Sequence, residues 1–363
     1  MKKISLVAST TFEQIVPVCK ISCIDVRKKS NYTLLHFANS INLNIHLFGE
    51  RLFEFPPAIQ PISIVYSEEQ EGVLSEFLDN LIARGYLLEY CIKWVDICEE
   101  LKEELLNRNL VVEGDLYHII FAPNPSLVQH IDYIEKELVE RENNINAVPE
   151  LSVLDLGCGS SRDLVYLLKS RSKVQWKGYG IDMLEFCLAR SRVLSIRANV
   201  TQHLSLYYLE ISKDGTFQEL ERTKDIENSK LYKKLLFDME TEDKKEAFCQ
   251  SQPCKNFFET CANKLPKTYN LIINIRFINK AFLPSINPML SPGGFVFIST
   301  FAIGSDLPTF SKPKSNHCVD VGELYCFFSV LGYKIVLDVI ETIEDGRPVN
   351  TFIAQKPFTL SNN

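Results

Sequence analysis

The stretch from Leu151 to Asp163, LSVLDLGCGSSRD, decides the fold. Its first half is an apolar run of strand length that ends near Asp155, and its second half is a turn with glycines at Gly157 and Gly159. Glycines in a turn adopt backbone angles that other residues avoid, and they let a ligand approach the main chain. A helix predicted over 164–169 would then begin with unpaired N–H groups. This order predicts a buried strand, a ligand-binding turn and a helix of a parallel α/β sheet.

A second strand is predicted from Lys177 to Asp182, and its last residue is an acid 27 positions after Asp155. Carboxyl ends of neighbouring parallel strands meet at one edge, so Asp182 is expected beside the glycine turn. An acid at such a strand tip can accept hydrogen bonds from both hydroxyls of a ribose. Dinucleotide-binding folds share this arrangement, but their turn has a third glycine where Ser161 stands. Asp155 also places negative charge before the turn, which suits a cationic ligand better than a pyrophosphate.

Two later segments complete a family pattern. Tyr269–Ile273 reads as a further strand, and the turn Ser291–Gly294 leads into a strand that continues to Ile298. With the glycine turn and Asp182, these segments resemble the motifs of class I S-adenosylmethionine-dependent methyltransferases in their usual order. The tellurite-resistance-type subgroup is the most similar, through Gly159–Asp163, Phe282–Pro284, Ser299–Ala302 and Gly322–Leu324.

This resemblance implies a doubly wound, Rossmann-like methyltransferase domain over residues 151–358, with S-adenosylmethionine as its cofactor. Asp155 and the turn glycines would hold the methionine part, and Asp182 would bind the ribose. The segment 237–240 resembles the place where an acid contacts the adenine amino group, and a strand predicted over 204–209 competes for that place. The implied cofactor-binding residues are Asp155, Gly157, Cys158, Gly159, Arg162, Asp182, Met183, Asp238, Met239 and Asn274. No catalytic residue and no metal ligand is predicted.

The N-terminal part of the chain also alternates between predicted strands and helices. Residues 23–27 and 62–66 read as strands, and apolar residues at helical spacing predict a helix over 72–83. A further strand is predicted over 86–94. Because strand, helix and strand follow one another, a second parallel-sheet α/β domain is predicted over residues 1–105.

The same region resembles the rhodanese family. The similarity begins with Asp25-Val26-Arg27 and with His36–Asn42 (HFANSIN), and it continues through 51–57 and 64–66. Chemistry in that family needs a cysteine at the start of the loop after the strand, where backbone N–H groups stabilise its thiolate. Here Ser67 stands at that position, and the loop that follows is acidic. The domain is therefore interpreted as a non-catalytic accessory module through which a protein partner would bind.

We expect no thiosulfate:cyanide sulfurtransferase activity from this domain. The hydroxyl of Ser67 replaces the thiol that the reaction needs, and the acidic loop opposes binding of an anion. The chain incubated with thiosulfate and cyanide should yield no thiocyanate above the blank. A robust cyanide-dependent yield of thiocyanate would overturn this interpretation.

Residues 106–150 are interpreted as a connector that includes a lid helix. That helix is predicted over 127–142 with Ser126 as its N-cap, and Asn124 before it is a further site candidate. Within the methyltransferase-like domain, residues 211–265 are rich in charge and poor in strand signals. They are interpreted as a largely helical insertion.

Composition limits the classes of protein to consider. The chain has 363 residues, of which 46% are hydrophobic and 23% charged, with a formal net charge of -7. Two domains of about 150 residues each fit this length. Net acidity disfavours non-specific binding to nucleic acid, and no apolar run approaches the ~20 residues that span a bilayer. The 11 cysteines and the lack of a secretory signal predict free thiols in the cytosol or nucleus.

Three functions stay open at this point. The first and favoured one is methyl transfer to a small-molecule acceptor, with a protein or an RNA as the less favoured acceptor. The second is a cofactor-binding scaffold without methyl transfer, and the third is a dinucleotide-dependent oxidoreductase. Release of labelled methyl separates the first from the second, and NAD binding would identify the third.

The fourth strand ends in Asn274-Ile275-Arg276-Phe277 rather than in Asn-Pro-Pro-Tyr or Asp-Pro-Pro-Tyr, which disfavours amino methylation of adenine.

Overall fold

A computed structural model of the chain describes residues 5–7, 11–140, 148–221 and 258–358. The chain divides into two compact units, the first ending at Ala122 and the second beginning at Pro123. The predicted connector over 106–150 is therefore split between the two units rather than separate from both. Within the described residues, no helix is both long enough and apolar enough to cross a membrane.

The first unit contains a parallel sheet with helices along the chain between its strands. Its strands are β1 (Ser5–Val7), β2 (Ser22–Asp25), β3 (His36–Phe37), β4 (Ser40–Asn42), β5 (Pro61–Tyr66), β6 (Leu87–Lys93) and β7 (Val111–Val112). Its helices are α1 (Phe12–Ile15), α2 (Lys29–Leu34), α3 (Glu71–Ala83) and α4 (Glu99–Asn107). The sheet has the order β1-β6-β5-β2-β4, with every neighbouring pair parallel. The predicted parallel sheet is thus confirmed, and β7 extends this unit past residue 105 because it pairs with β3.

The loop after β5 is closed by its own side chains. The Ser67 hydroxyl donates to the Gln70 side chain at 2.6 Å, and the Ser67 N–H donates to the same oxygen at 3.1 Å. Lys93 pairs with Glu68 and Glu71 of this segment, and Lys28 pairs with Glu69. Ser67 is therefore bonded to the Gln70 side chain and lies among ion-paired carboxylates.

The second unit contains a large mixed sheet flanked by helices. Its strands are β8 (Glu150–Leu156), β9 (Gln175–Asp182), β10 (Leu204–Ile211), β11 (Phe217–Glu219), β12 (Tyr269–Ile275), β13 (Leu290–Ile303), β14 (Val319–Asp320), β15 (Lys334–Thr342) and β16 (Pro348–Gln355). Its described helices are α5 (Pro125–Val139), α6 (Arg162–Ser170), α7 (Glu185–Arg197), α8 (Leu283–Met289) and α9 (Glu323–Val330). The main path of the sheet is β11-β10-β9-β8-β12-β13-β16-β15, and β14 pairs with β13 outside it.

The order of the five central strands locates the site. Strands β10, β9, β8, β12 and β13 are parallel, and along the chain they are the third, second, first, fourth and fifth of the five. The strand order therefore reverses between β8 and β12. In open α/β sheets, ligands bind beyond the carboxyl ends of the strands at such a reversal. The glycine turn follows β8 directly, so it lies at this point. Strands β16 and β15 add an antiparallel edge that makes the sheet mixed.

Helix α5 begins two residues earlier than the sequence predicted. Its N-cap is Asn124, whose side-chain oxygen accepts a hydrogen bond from the Leu127 N–H at 3.1 Å. Pro125 fits the first helical position because its fixed φ suits a helix and its missing N–H is not needed there. The predicted cap, Ser126, is inside the helix, and its hydroxyl donates to Glu341 instead.

The two described ends of the predicted helical insertion form a strand hairpin and a strand bridge, and the helical prediction for the rest of the segment stays a prediction. Strand β10 runs to Ile211, and a turn closed by the Ser212 N–H and the Thr216 carbonyl at 3.0 Å leads into β11. Gly215 has a φ of +77° in that turn, which favours glycine. At the other end of the segment, Glu259 bridges to Tyr207 on β10. The charge of this segment favoured a helix over the turn between two short strands, and residues 222–257 lie outside the described part.

Candidate functional site

The glycine turn is fixed to the neighbouring strand. The N–H groups of Gly157 and Cys158 both donate to the Ile181 carbonyl at 2.9 Å. Gly157 and Gly159 have φ values of +74° and +55°. A Cβ at Gly157 would lie 2.7 Å from Cγ of Phe277, whereas no atom lies within 4 Å of a Cβ at Gly159. Packing therefore requires the first glycine, and the second borders open space that a ligand can enter.

A serine pair connects the turn to α7. Ser161 has a φ of +56°, so it adopts the left-handed conformation that a third glycine would have. Its buried hydroxyl donates to the Ser191 hydroxyl at 2.9 Å, and Ser191 donates to the Gly159 carbonyl at 2.7 Å. These bonds hold a residue in a conformation that costs about 1–2 kcal/mol for a non-glycine side chain. The sequence analysis missed Ser191 because nothing in its local pattern indicates this contact.

Asp155 is a buried carboxylate at the end of β8. Its exposed fraction is 3%, and among the described residues no hydrogen bond or ion pair reaches it. Burial raises its pKa well above the usual value, and the charges of Asp163 and Asp182 raise it further. Such a group is costly when ionised, because neither water nor a cation offsets its charge. A cationic ligand would remove this cost.

Asp182 and Asp163 lie on either side of the turn. One Asp182 oxygen accepts from the Gly159 N–H at 2.9 Å, and the other accepts from the Leu184 N–H at 2.8 Å. Asp163 accepts from the Asn124 N–H at 2.6 Å. Burial raises the pKa of both carboxyl groups, while these hydrogen bonds lower it. Three acids therefore converge on the turn, which is where the sequence placed Asp155 and Asp182.

Asn274 lies at the carboxyl end of β12, across the strand-order reversal from the turn. Its exposed fraction is 3%, and its side-chain oxygen has no hydrogen-bond partner in the described structure. A buried acceptor without a partner costs about 1–3 kcal/mol. The site therefore has an acceptor that a ligand N–H or O–H would satisfy.

The other predicted site residues occupy varied positions. Arg162 begins α6, and its charge acts on Asp163. Cys158 is buried, and burial raises the pKa of its thiol well above the usual value. Met183 is 48% exposed and follows Asp182 directly. Asp238 and Met239 lie outside the described residues, whereas the strand predicted over 204–209 is confirmed as β10 beside β9. The role of each residue in binding stays a prediction.

Comparisons with known proteins give distant similarities. No family model matches the chain. An uncharacterized protein of Schizosaccharomyces pombe, UNK4.09, is 27% identical over 349 residues, which are 93% of this chain and 94% of that protein. Among solved structures, TehB from Haemophilus influenzae is 16% identical with a TM-score of 0.35, over 61% of this chain and 67% of its own. A SAM-dependent methyltransferase from Geobacter sulfurreducens in complex with S-adenosyl-L-homocysteine is 14% identical with a TM-score of 0.32, over 58% and 74%. Similarities at this level assign no function, so a functional proposal depends on the site itself.

Proposed function

We propose that the second unit binds S-adenosylmethionine at the turn after β8 and transfers its methyl group to a small molecule. The observation that carries the proposal is the buried Asp155 carboxylate, which has no partner among the described residues at the strand-order reversal. S-adenosylmethionine carries an ammonium and a sulfonium, and either charge would offset this carboxylate. The pyrophosphate of a dinucleotide would instead meet three acids, which disfavours the oxidoreductase alternative.

The remaining hydrogen-bonding capacity of the site fits the same cofactor. A carboxylate offers about four acceptor positions, and Asp182 uses two of them on main-chain N–H groups. Two positions are left for the two hydroxyls of a ribose. The open space beside Gly159 would admit the methionine part, and the unpartnered oxygen of Asn274 would accept a hydrogen bond from the ligand.

In this proposal the protein contributes alignment and electrostatics. When bound, S-adenosylmethionine supplies a methyl group on a positively charged sulfur, and the sulfur is the leaving group when a nucleophile attacks the methyl carbon in line. Asp155 would hold the positive end of the cofactor, and Asp182 would fix the ribose. The Phe277 ring would pack against Gly157 and fix that part of the turn. The first unit would act as a non-catalytic accessory module, since the Ser67 hydroxyl is bonded to the Gln70 side chain.

Calorimetry of the full chain with S-adenosylmethionine, S-adenosylhomocysteine and NAD tests the proposal. We expect both adenosyl compounds to bind and NAD not to bind. Cofactor labelled in its methyl group, incubated with the chain and a small-molecule extract, should release label into a new product. Binding without any labelled product would favour the scaffold alternative, and NAD binding alone would favour the oxidoreductase.

Asp182→Ala is expected to weaken the affinity for S-adenosylmethionine by about 1–3 kcal/mol, because charge-assisted hydrogen bonds to the ribose are lost. Calorimetry measures the change in affinity, and circular dichroism checks that the variant is folded. Glu150→Ala is the matched control, because this exposed acid lies at the opposite end of β8 and, among the described residues, forms an ion pair with Lys177 alone. Unchanged affinity in folded Asp182→Ala would refute the ribose role.

A further inference from the structure

A further carboxylate without a cationic partner among the described residues lies in the second unit. Glu341 on β15 accepts hydrogen bonds from the Ser126 hydroxyl at 3.0 and 2.8 Å, and from the Thr351 hydroxyl. The Ser299 hydroxyl lies 3.3 Å from that of Thr351. Ser126, Thr351 and Ser299 are all buried, and they are neutral. Within the described residues, no lysine or arginine pairs with Glu341.

The sheet register puts this cluster on the same face as Asp155. Asp155 pairs with Ile273 on β12, and two residues later Ile275 pairs with Ser299 on β13. Ser299 in turn pairs with Thr351 on β16. Paired residues share a face of a sheet, and so do residues two apart on a strand. Ser299 and Thr351 therefore lie on the Asp155 face, one step nearer the carboxyl edge.

The start of α5 brings Glu341 close to the acid crevice. The Asn124 N–H donates to Asp163 beside the glycine turn, and the Ser126 hydroxyl donates to Glu341. Two residues apart on one chain, the Cα atoms of Asn124 and Ser126 are at most about 7.6 Å from each other. One helical turn thus contacts carboxylates on both sides of the candidate site.

Most cations near this edge are already paired with acids. Arg276 pairs with Glu344 at 2.8 Å, and Lys280 pairs with Glu323 at 2.7 Å. Arg347 pairs with Asp345 in the hairpin between β15 and β16. Arg162 and Arg276 also act on Asp163, which is therefore partly compensated. Among the described acids of this face, Asp155, Asp182 and Glu341 have no cationic partner, and Asp182 is already held by the main-chain N–H groups of Gly159 and Leu184.

We infer that the methyl acceptor is an amine, which binds as its ammonium to Glu341. This inference rests on the proposed function, in which the cofactor offsets the charge of Asp155 and leaves Glu341 for a second cation. The Ser299 hydroxyl oxygen supplies a further acceptor for an ammonium N–H. Oxyanions and thiolates would be repelled by the same carboxylates. The proposed amine therefore differs in chemical class from tellurite, the acceptor that the resemblance to tellurite-resistance-type methyltransferases would suggest.

Methyl transfer to an amine requires a free lone pair on its nitrogen. An ammonium has no free lone pair, so it first gives a proton to the Glu341 carboxylate. The nitrogen lone pair forms the new N–CH₃ bond while the S–CH₃ bond breaks and its electron pair stays on sulfur. Glu341 holds the proton until the methylated amine leaves, and solvent takes it up afterwards. No oxidant or reductant is required.

Three probes of one shape and different charge test the inference by binding alone. The full chain saturated with S-adenosylhomocysteine is titrated with benzylamine, benzyl alcohol and benzoate, and binding is followed by ligand-observed NMR. Benzylamine should bind about tenfold more tightly than benzyl alcohol, and benzoate should not bind. Glu341→Gln should remove this preference, and the matched control Glu150→Gln should keep it. Equal binding of the three probes, a preference for benzoate, or no binding of benzylamine would overturn the inference. All three results are obtained with the wild-type chain, so they do not require that a variant folds.

The chemical class of the labelled product separates this inference from the proposed function. The labelled product from the small-molecule extract is first separated from unreacted S-adenosylmethionine, which is itself a cation, and is then passed over a cation exchanger at acid pH. Retained label, as a methylated amine, supports the inference. A labelled thioether or methylated metalloid overturns the inference and leaves the methyltransferase proposal standing. Cofactor binding without any labelled product overturns the methyltransferase proposal and, with it, the inference.

Discussion

Asp155→Asn is expected to make the cofactor-free chain more stable and its cofactor binding weaker. The substitution replaces a buried carboxylate, which has no partner among the described residues, with a neutral amide of the same shape. Relief of a destabilised site of this kind raises the free energy of unfolding by about 0.5–2 kcal/mol. Loss of the charge should weaken S-adenosylmethionine binding by about 1.5–3 kcal/mol. Urea unfolding and calorimetry at pH 7 measure the two opposite effects.

The stability effect predicted for Asp155→Asn can also be tested through its dependence on pH. Because burial raises the pKa of Asp155, the folded chain keeps a proton at pH values where the unfolded chain has lost it. The stability that Asp155 contributes is therefore fully present at low pH, and it falls as pH rises above the ordinary value of 3.8. Asp155→Asn should flatten this fall, while Glu150→Gln should leave it unchanged. A variant that is less stable than the wild-type chain at pH 7 would contradict the argument.

Gly157→Ala and Gly159→Ala are expected to fail in different ways. An alanine at position 157 would adopt a φ of +74° and place its Cβ 2.7 Å from the Phe277 ring. Strain and overpacking each cost about 1–3 kcal/mol, so the free energy of unfolding should fall by about 2–6 kcal/mol. An alanine at position 159 meets no atom within 4 Å, so only the backbone cost of about 1–2 kcal/mol applies.

The second glycine should matter mainly for the ligand. Its Cβ would project into the space that the cofactor is proposed to fill, so affinity for S-adenosylmethionine should fall at least about tenfold, or 1.4 kcal/mol. Each variant is the control for the other, with unfolding and calorimetry done on both. Adding Phe277→Ala to Gly157→Ala should restore part of the lost stability, which a double-mutant cycle measures. Equal effects of the two glycine substitutions on binding and on stability would count against this division of roles.

Local sequence patterns predicted the parts of the site that follow strands directly. Asp155, the glycine turn and Asp182 stand at the ends of apolar segments, and parallel strands bring those ends to one edge. The contacts that complete the site join residues far apart in the chain. Asn124 meets Asp163, which is 39 positions away, and Ser126 meets Glu341, which is 215 positions away.

The errors of the sequence analysis have physical causes of the same kind. The contact between Ser161 and Ser191 was not predicted, because the two residues are 30 positions apart. The first unit extends to β7 because Val111 and Val112 pair with β3, which local propensity cannot show. Asn124 rather than Ser126 caps α5 because a proline follows it. In each case a distant partner or an adjacent residue outweighed the simple pattern.

The position of β16 has a consequence for the order in which the second unit can be completed during synthesis. This strand ends at Gln355, and it lies between β13 and β15 in the sheet. Among the described strands, β15 pairs only with β16, so β15 leaves the ribosome before its partner exists. The glycine turn and β8 to β13 can pair earlier, whereas Glu341 reaches its place only when β16 has emerged. A nascent chain that stalls before Pro348 would therefore hold the cofactor half of the site without the carboxylate proposed to bind the acceptor.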